Sequence, residues 1–323
     1  MVYAEVPAGT ERSIAVARTP EERFEGLPDY PFAPHYVDIQ AGAGISTRLR
    51  VHYLDERPAE PSQESGETIL LLHGEPSWSF LYRHVIPPLV EAGHRCVAPD
   101  LIGFGKSDKP IDRFVYTYEA HVDWLAHTVF DHLGLRDITM VCQDWGGLLG
   151  LRVLAEHRDR FRRVIATNTS FPTGDQDLGG SFALWLQLSQ RSNPFDIGQV
   201  VDRGTVTDLD PAILAAYNAP FPDESYLAGA RQFPLLVPLA PFDDAAAANR
   251  RAWDILETMQ TPFLCAFSDN DYGVGDGARV FREHIPGAAG QPHVTIVNAG
   301  HFVQEDQGPV LAGTIDEFIR STR

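Results

Sequence analysis

Cysteine is scarce in this chain. Three residues in 323, Cys96, Cys142 and Cys265, lie far apart with no CxxC pair and no zinc-ligand spacing. A disulfide framework and a metal site are therefore not expected, and each thiol, inside or beside an apolar strand-like run, reads as buried and free. Basic residues are also short, with 26 Lys and Arg against 44 Asp and Glu. The resulting formal charge of -18 is spread along the chain. Such a surface repels phosphate backbones and anionic lipid heads, which argues against a nucleic-acid partner. No apolar run approaches the roughly 20 residues that span a bilayer, so no membrane partner is expected either. The opening stretch MVYAEVPAGTERSIAVARTPEER lacks the basic segment and apolar core of a secretory leader, and a cytoplasmic location is expected. What remains, 44% hydrophobic and 22% charged, is the composition of an ordinary soluble enzyme.

Strand-like runs alternate with helical ones: RLRVHYLDE, TILLLHG, HRCVAPD, ITMVCQD, RRVIATN, PFLCAFSDND and HVTIVNAGH. This order predicts an α/β fold, a mostly parallel central sheet flanked by helices. YVDIQ and RLRVHYL, separated by AGAGIST, read as an antiparallel pair at the sheet edge. From about Phe171 to Ala240 strand-like runs vanish, and aromatic, proline-bearing helical segments replace them. The predicted organisation is core over residues 1–170, an inserted helical cap over 171–240, and core again over 241–323. PAEPSQESGE reads as a polar loop.

A further absence directs the search for chemistry: no G-x-S-x-G string occurs anywhere. Where ITMVCQ meets two glycines and a helical run, the sequence VCQDWGG places Asp144 at the strand-to-helix turn that holds the serine of serine hydrolases. A carboxylate attacking a carbonyl makes a high-energy anhydride, whereas attack on a saturated carbon with a leaving group makes an ordinary ester. Asp144 therefore suits an electrophilic sp³ carbon. Hydrolysis of the ester needs a base, an orienting acid and oxyanion donors. His301 in NAGHFVQED follows the last strand-like run, and Asp269 or Asp271 in the loop before it can orient the imidazole. Asn168, after RRVIATN, carries no charge to do so. In HGEPSWSFLYR, Glu75 reads as a helix N-cap with Pro76 at the first helical position. The backbone N–H of Glu75, with that of Trp145, supplies a two-donor oxyanion hole. The Glu75 carboxyl serves either to cap that helix or to position water.

HGEPSWSFLYR, APDLIGFGKSDKP, QDWGG, YNAPFPDESY and AGHFVQE together resemble the haloalkane dehalogenases of the α/β-hydrolase fold, from about Arg18 to the C-terminus. The branch resembled carries its triad acid after the strand preceding the histidine loop. The resemblance implies hydrolysis of a small halogenated alkane by water, releasing halide, a proton and a primary alcohol, with no cofactor and with detoxification as the setting. It assigns Asp144 as nucleophile, His301 as base, Asp271 rather than Asp269 as acid, and Glu75 and Trp145 as oxyanion donors. A departing halide needs no proton, only donors in a dry pocket, and indole N–H donates without accepting. Trp145 and, from the cap, Trp185 take this halide-binding role by resemblance; Trp78, Trp124 and Trp253 are assigned to packing. Phe182, Leu184, Leu188 and Leu235 are expected to shape the pocket, and the protein is expected to be a monomer. One alternative is an epoxide hydrolase using the same triad with cap tyrosines Tyr217 and Tyr226; a non-catalytic ligand-binding protein of the same fold is another.

Overall fold

The computed structural model describes residues 11–271, 273 and 276–322, so the first ten residues of the N-terminal stretch read above lie outside the described residues. Ten strands occur among these: β1 Val16–Ala17, β2 His35–Gln40, β3 Arg48–Glu56, β4 Thr68–Leu72, β5 Arg95–Pro99, β6 Lys109–Pro110, β7 Ile138–Gln143, β8 Phe161–Thr167, β9 Phe263–Ser268 and β10 Val294–Ile296. β1 and β6 form a small antiparallel ribbon, and the other eight form one sheet in the order β10-β9-β8-β7-β4-β5-β3-β2. β2 and β3 pair antiparallel, as do β3 and β5, and the remaining neighbours run parallel. The antiparallel pair expected from YVDIQ and RLRVHYL is thus at the sheet edge.

The central strands are apolar without alternation because helices cover both faces. All six side chains of ITMVCQ in β7 are buried, as are the last four of TILLL in β4. Helix Trp145–Glu156 lies so close to the sheet that a Cβ on Gly146 would stand 2.2 Å from the Leu72 carbonyl oxygen. Between β8 and the helix Ala246–Leu256 the chain carries four α-helices, Gly179–Arg191, Ile197–Arg203, Pro211–Asn218 and Ala228–Leu236, and no described strand. All three cysteines are buried and free, and burial pushes the Cys265 thiol up to about 12.

Register sets where function sits. Leu72 pairs with Cys142, Gln143 with Thr167, Ala166 with Cys265 and Ser268 with Ile296, so the C-terminal ends of five parallel strands share one rim. Loops leaving that rim carry Glu75, Asp144, Asn168, Asp271 and His301, at the edge where open α/β sheets place their ligands.

Close helix-to-sheet approach makes one contrast testable by urea denaturation. Gly146→Ala would drive its methyl into backbone that cannot yield and should destabilise by about 3 kcal/mol. Gly180→Ala, at a helical position with nothing within 4 Å, should instead stabilise by about 0.5 kcal/mol.

Candidate active site

Asp144 ends β7 and begins the helix with φ 50° and ψ -125°, a backbone conformation that a non-glycine residue adopts only when its surroundings impose it. They do so here from both sides. The Asp144 N–H donates to the Asn168 carbonyl at 3.0 Å, and its own carbonyl accepts from the Thr169 hydroxyl at 2.7 Å. Its side chain leans over Gly74, where a Cβ would fall 2.3 Å from the carboxylate. Oδ1 accepts the Glu75 N–H at 2.7 Å, while Oδ2 lies 3.6 Å from Nε2 of His301. The Trp145 N–H, first of its helix, has no acceptor within that helix.

His301 is five residues beyond β10, and its Nδ1 is 2.9 Å from Oδ2 of Asp271. The other Asp271 oxygen accepts the Gly273 N–H at 2.7 Å. Asp269 instead accepts from the Ala299 N–H and the Asn270 side chain, bracing the loop. Geometry therefore separates the two acids between which the bare sequence left the choice open. Burial disfavours a proton on His301, but the Asp271 charge, hydrogen bonds with both carboxylates and the Asp144 charge outweigh it, raising the imidazole well above its ordinary value.

The expected helix cap at Glu75 is not formed. Gly74 to Ser77 make a turn closed by the Ser77 N–H on the Gly74 carbonyl, with a cis Glu75–Pro76 peptide, and the next helical turn starts only at Ser79. The turn is braced from below: His73 accepts the Leu101 N–H, and buried Asp100, held to about 2 by His52, His73 and the Ser79 N–H against the effect of burial, fixes Ser79. The Glu75 carboxyl has no N-terminus to cap and is 4% exposed. One oxygen is buried without a partner among the described residues. Burial, and then the Asp144 charge, raises its pKa well above the ordinary carboxylate value, against the opposing effect of His301.

These groups open on a cavity of about 850 Å³. Trp145 and Trp185 both line it. The other three indoles donate to backbone carbonyls: Trp78 to Ala216, Trp124 to Ala41 and Trp253 to Phe171. Trp145 and Trp185 have no protein acceptor for their N–H among the described residues. Trp253 packs as expected but also faces the cavity. Phe182 and Leu188 share that wall with Trp185 at helical spacing. Leu184 and Leu235 do not belong to it: they are 57% and 49% exposed, because Leu184 falls off the inward stripe of its helix and Leu235 faces outward on its own. Tyr217 is buried elsewhere with its hydroxyl on Glu305, and neither it nor Tyr226 lines the cavity. That removes the geometric basis of the epoxide-hydrolase alternative.

Two contributors escape sequence reasoning. Asn168, set aside for want of charge, donates its amide to the carbonyls of Gly300 and His301 at 2.8 and 2.9 Å and so holds the histidine loop. Gln143, before the nucleophile, is fully buried with its amide nitrogen 3.3 Å from the His301 carbonyl and 3.0 Å from Nε2. The signal for both was position, at the ends of adjacent strands.

The α/β hydrolase fold model matches residues 67–192. A haloalkane dehalogenase from Psychrobacter cryohalolentis is 53% identical over 94% of this chain and 98% of its own length. One from Mycobacterium marinum is 50% identical over 93% and 98%. Among solved structures, the tetrameric haloalkane dehalogenase DpaA from Paraglaciecola agarilytica NO2 superposes with a TM-score of 0.83 at 37% identity, covering 94% of this chain and 97% of the other. With an acid at the elbow, a histidine beside it and this degree of identity along nearly its whole length, the chain belongs to the haloalkane dehalogenases.

Proposed function

We propose that this hydrolase, acting on carbon–halide bonds, works through a covalent alkyl ester on Asp144 and releases halide, a proton and a primary alcohol. The observation carrying the proposal is that the Asp144 carboxylate lines one cavity with Trp145 and Trp185, whose indole N–H groups have no protein acceptor among the described residues. Oδ1 is held by the Glu75 N–H, which leaves Oδ2 to attack the carbon bearing the halogen. The carbon–halogen bond breaks as the carbon–oxygen bond forms, and the halide takes the bonding pair toward the N–H groups of Trp145 and Trp185. In a largely apolar pocket these donors replace the water that would otherwise solvate the anion.

The second step turns on the same carboxylate. As an ester, Asp144 no longer carries the charge that helps keep a proton on His301. The imidazole pKa then falls, and His301, oriented by Asp271, takes a proton from water as the water attacks the ester carbon. The oxyanion forms at Oδ1, on the Glu75 and Trp145 N–H donors. Its collapse breaks the bond from the carboxyl carbon to the alkylated Oδ2, which leaves as the alcohol with the proton held by His301, while the regenerated Asp144 carboxyl gives up the remaining water proton. Residues 171–240 act as the cap closing this site over the core of 1–170 and 241–323. No metal or organic cofactor enters, since the nucleophile is internal and the second reactant is water. Detoxification of halogenated alkanes in the cytoplasm is part of the same proposal, with the three free thiols in keeping with a reducing compartment. The expectation of a monomer finds no support in the comparisons, where the relative from Paraglaciecola is a tetramer; light scattering on the purified protein measures it.

Asp144→Ala should abolish halide release from 1-bromobutane, and His301→Phe should release a single equivalent while leaving an alkyl mass on the peptide containing Asp144. Turnover of styrene oxide without halide release from any short haloalkane would overturn the proposal. In Asp144→Asn, which removes the charge as alkylation does, His301 followed by NMR should titrate at lower pH than in the wild type; an unchanged or higher value contradicts the two-step account. Trp185→Phe should weaken chloride quenching of tryptophan fluorescence and slow carbon–halogen cleavage, with urea stability changed by less than about 0.5 kcal/mol.

A further inference from the structure

The helix Val303–Ser321 begins two residues after His301, and its first turn carries adjacent acids with different attachments. Glu305, its side chain 2% exposed, takes both terminal nitrogens of Arg83 and the hydroxyl of Tyr217, so it bonds the helix to the core and to the inserted helices together. Asp306 reaches the other way. One of its oxygens accepts the Gly300 N–H at 2.8 Å, immediately before His301. The carboxylate also accepts the Thr207 N–H at 2.9 Å and the Val206 N–H at 3.1 Å, from the loop that follows helix Ile197–Arg203 of the insertion.

We infer that Asp306 is a positioning residue for His301, joining the 204–207 loop of the cap to the catalytic loop so that the two form one wall of the cavity. Gly204, Thr205 and Val206 line that cavity from one side and Gly300, His301 and Phe302 from the other. The seam between them is tight: the Phe302 N–H donates to the Gly204 carbonyl at 3.2 Å, and a Cβ on Gly300 would stand 2.4 Å from the same oxygen. The Phe302 ring packs against Gly204, where a Cβ would stand 2.6 Å from it, and the Asp306 carboxylate bonds backbone N–H groups on both sides of the seam. His301 acts on the ester and not on the halide. Loosening the wall therefore misplaces the base while Asp144, fixed by β7 and the Asn168 and Thr169 contacts, keeps its attack geometry.

The inference rests on the two-step reaction proposed above, and rapid-quench turnover of 1-bromobutane with intact-mass detection separates the two. Asp306→Ala should slow ester hydrolysis about tenfold and accumulate alkyl-enzyme, with the halide burst changed by less than about twofold. Asp306→Asn, whose side-chain oxygen still accepts from Gly300, should recover part of the loss and carries the same comparison if the alanine variant does not fold. Equal slowing of both steps, or unchanged hydrolysis with no accumulation, overturns the inference. An adduct in His301→Phe but none in either Asp306 variant sinks it alone, whereas no adduct in His301→Phe overturns the two-step reaction and the inference with it.

Discussion

Everything in the site depends on the backbone of Asp144 being held where it would not rest unaided. With φ at 50°, the residue sits in a conformation that costs of order 1–3 kcal/mol and that only a rigid surround maintains. The surround is the packed junction of β4, β7 and β8: Gly146 against the Leu72 carbonyl, Gly147 against Thr169, Gly74 beneath the carboxylate. Gly146 lets helix backbone meet strand backbone, whereas Gly147 and Gly74 leave room for the Thr169 and Asp144 side chains to seat against the chain. Because the strain is taken up by sheet packing, the carboxylate stands over the rim with one oxygen bonded and the other turned toward the base.

Electrostatics then follows from crowding. Asp144, Asp271, Glu75 and His301 share a small, poorly solvated volume, and three ionised carboxyls beside one imidazolium would repel. The crowding falls unequally: Glu75, with no donor for one of its oxygens among the described residues, is pushed well up by burial and by the Asp144 charge, while the Asp271 and Asp144 charges both favour the proton on His301. In the proposed reaction the protonation state of His301 is thereby tied to the covalent state of Asp144: alkylation removes one of the two charges that favour the imidazolium, which frees the base when there is an ester to hydrolyse.

The fold was legible in the sequence because each buried strand is a short apolar run ending in a polar residue, and the residues after those runs, Glu75, Asp144, Asp271 and His301, are those the rim brings together. Glu75 was misread as a cap because HGEP has the composition of a helix start, and only the turn from Gly74 to Ser77 reveals that the helix begins later. Leu184 and Leu235 were misjudged for a different reason. The phase of an amphipathic helix is visible in its sequence, but which neighbour its apolar stripe meets is a tertiary matter, and a leucine one step off the stripe reads like its neighbours. Asn168 and Gln143 were passed over because they act through amides on backbone atoms, an interaction with no charge signature.

These differences divide the enzyme into a part determined locally and a part determined by assembly. Nucleophile, acid and oxyanion donors belong to the sheet rim, where strand register alone brings them within a few ångströms. Trp185 belongs to a helix whose position over the rim is set by contacts distant in sequence, among them the Arg231 guanidinium on the Ser189 and Ser192 carbonyls and the Arg113 guanidinium on Gln190. In the proposed reaction the halide is stabilised by one indole from each part, so charge separation in the first step calls for insertion and core to be docked, while departure of the hydrated anion calls for water at that same interface. The proposed reaction thus makes opposite demands at one seam, held by backbone N–H groups on Asp306 and by the Tyr217 hydroxyl on Glu305, bonds that are strong where shielded and exchanged for water where exposed.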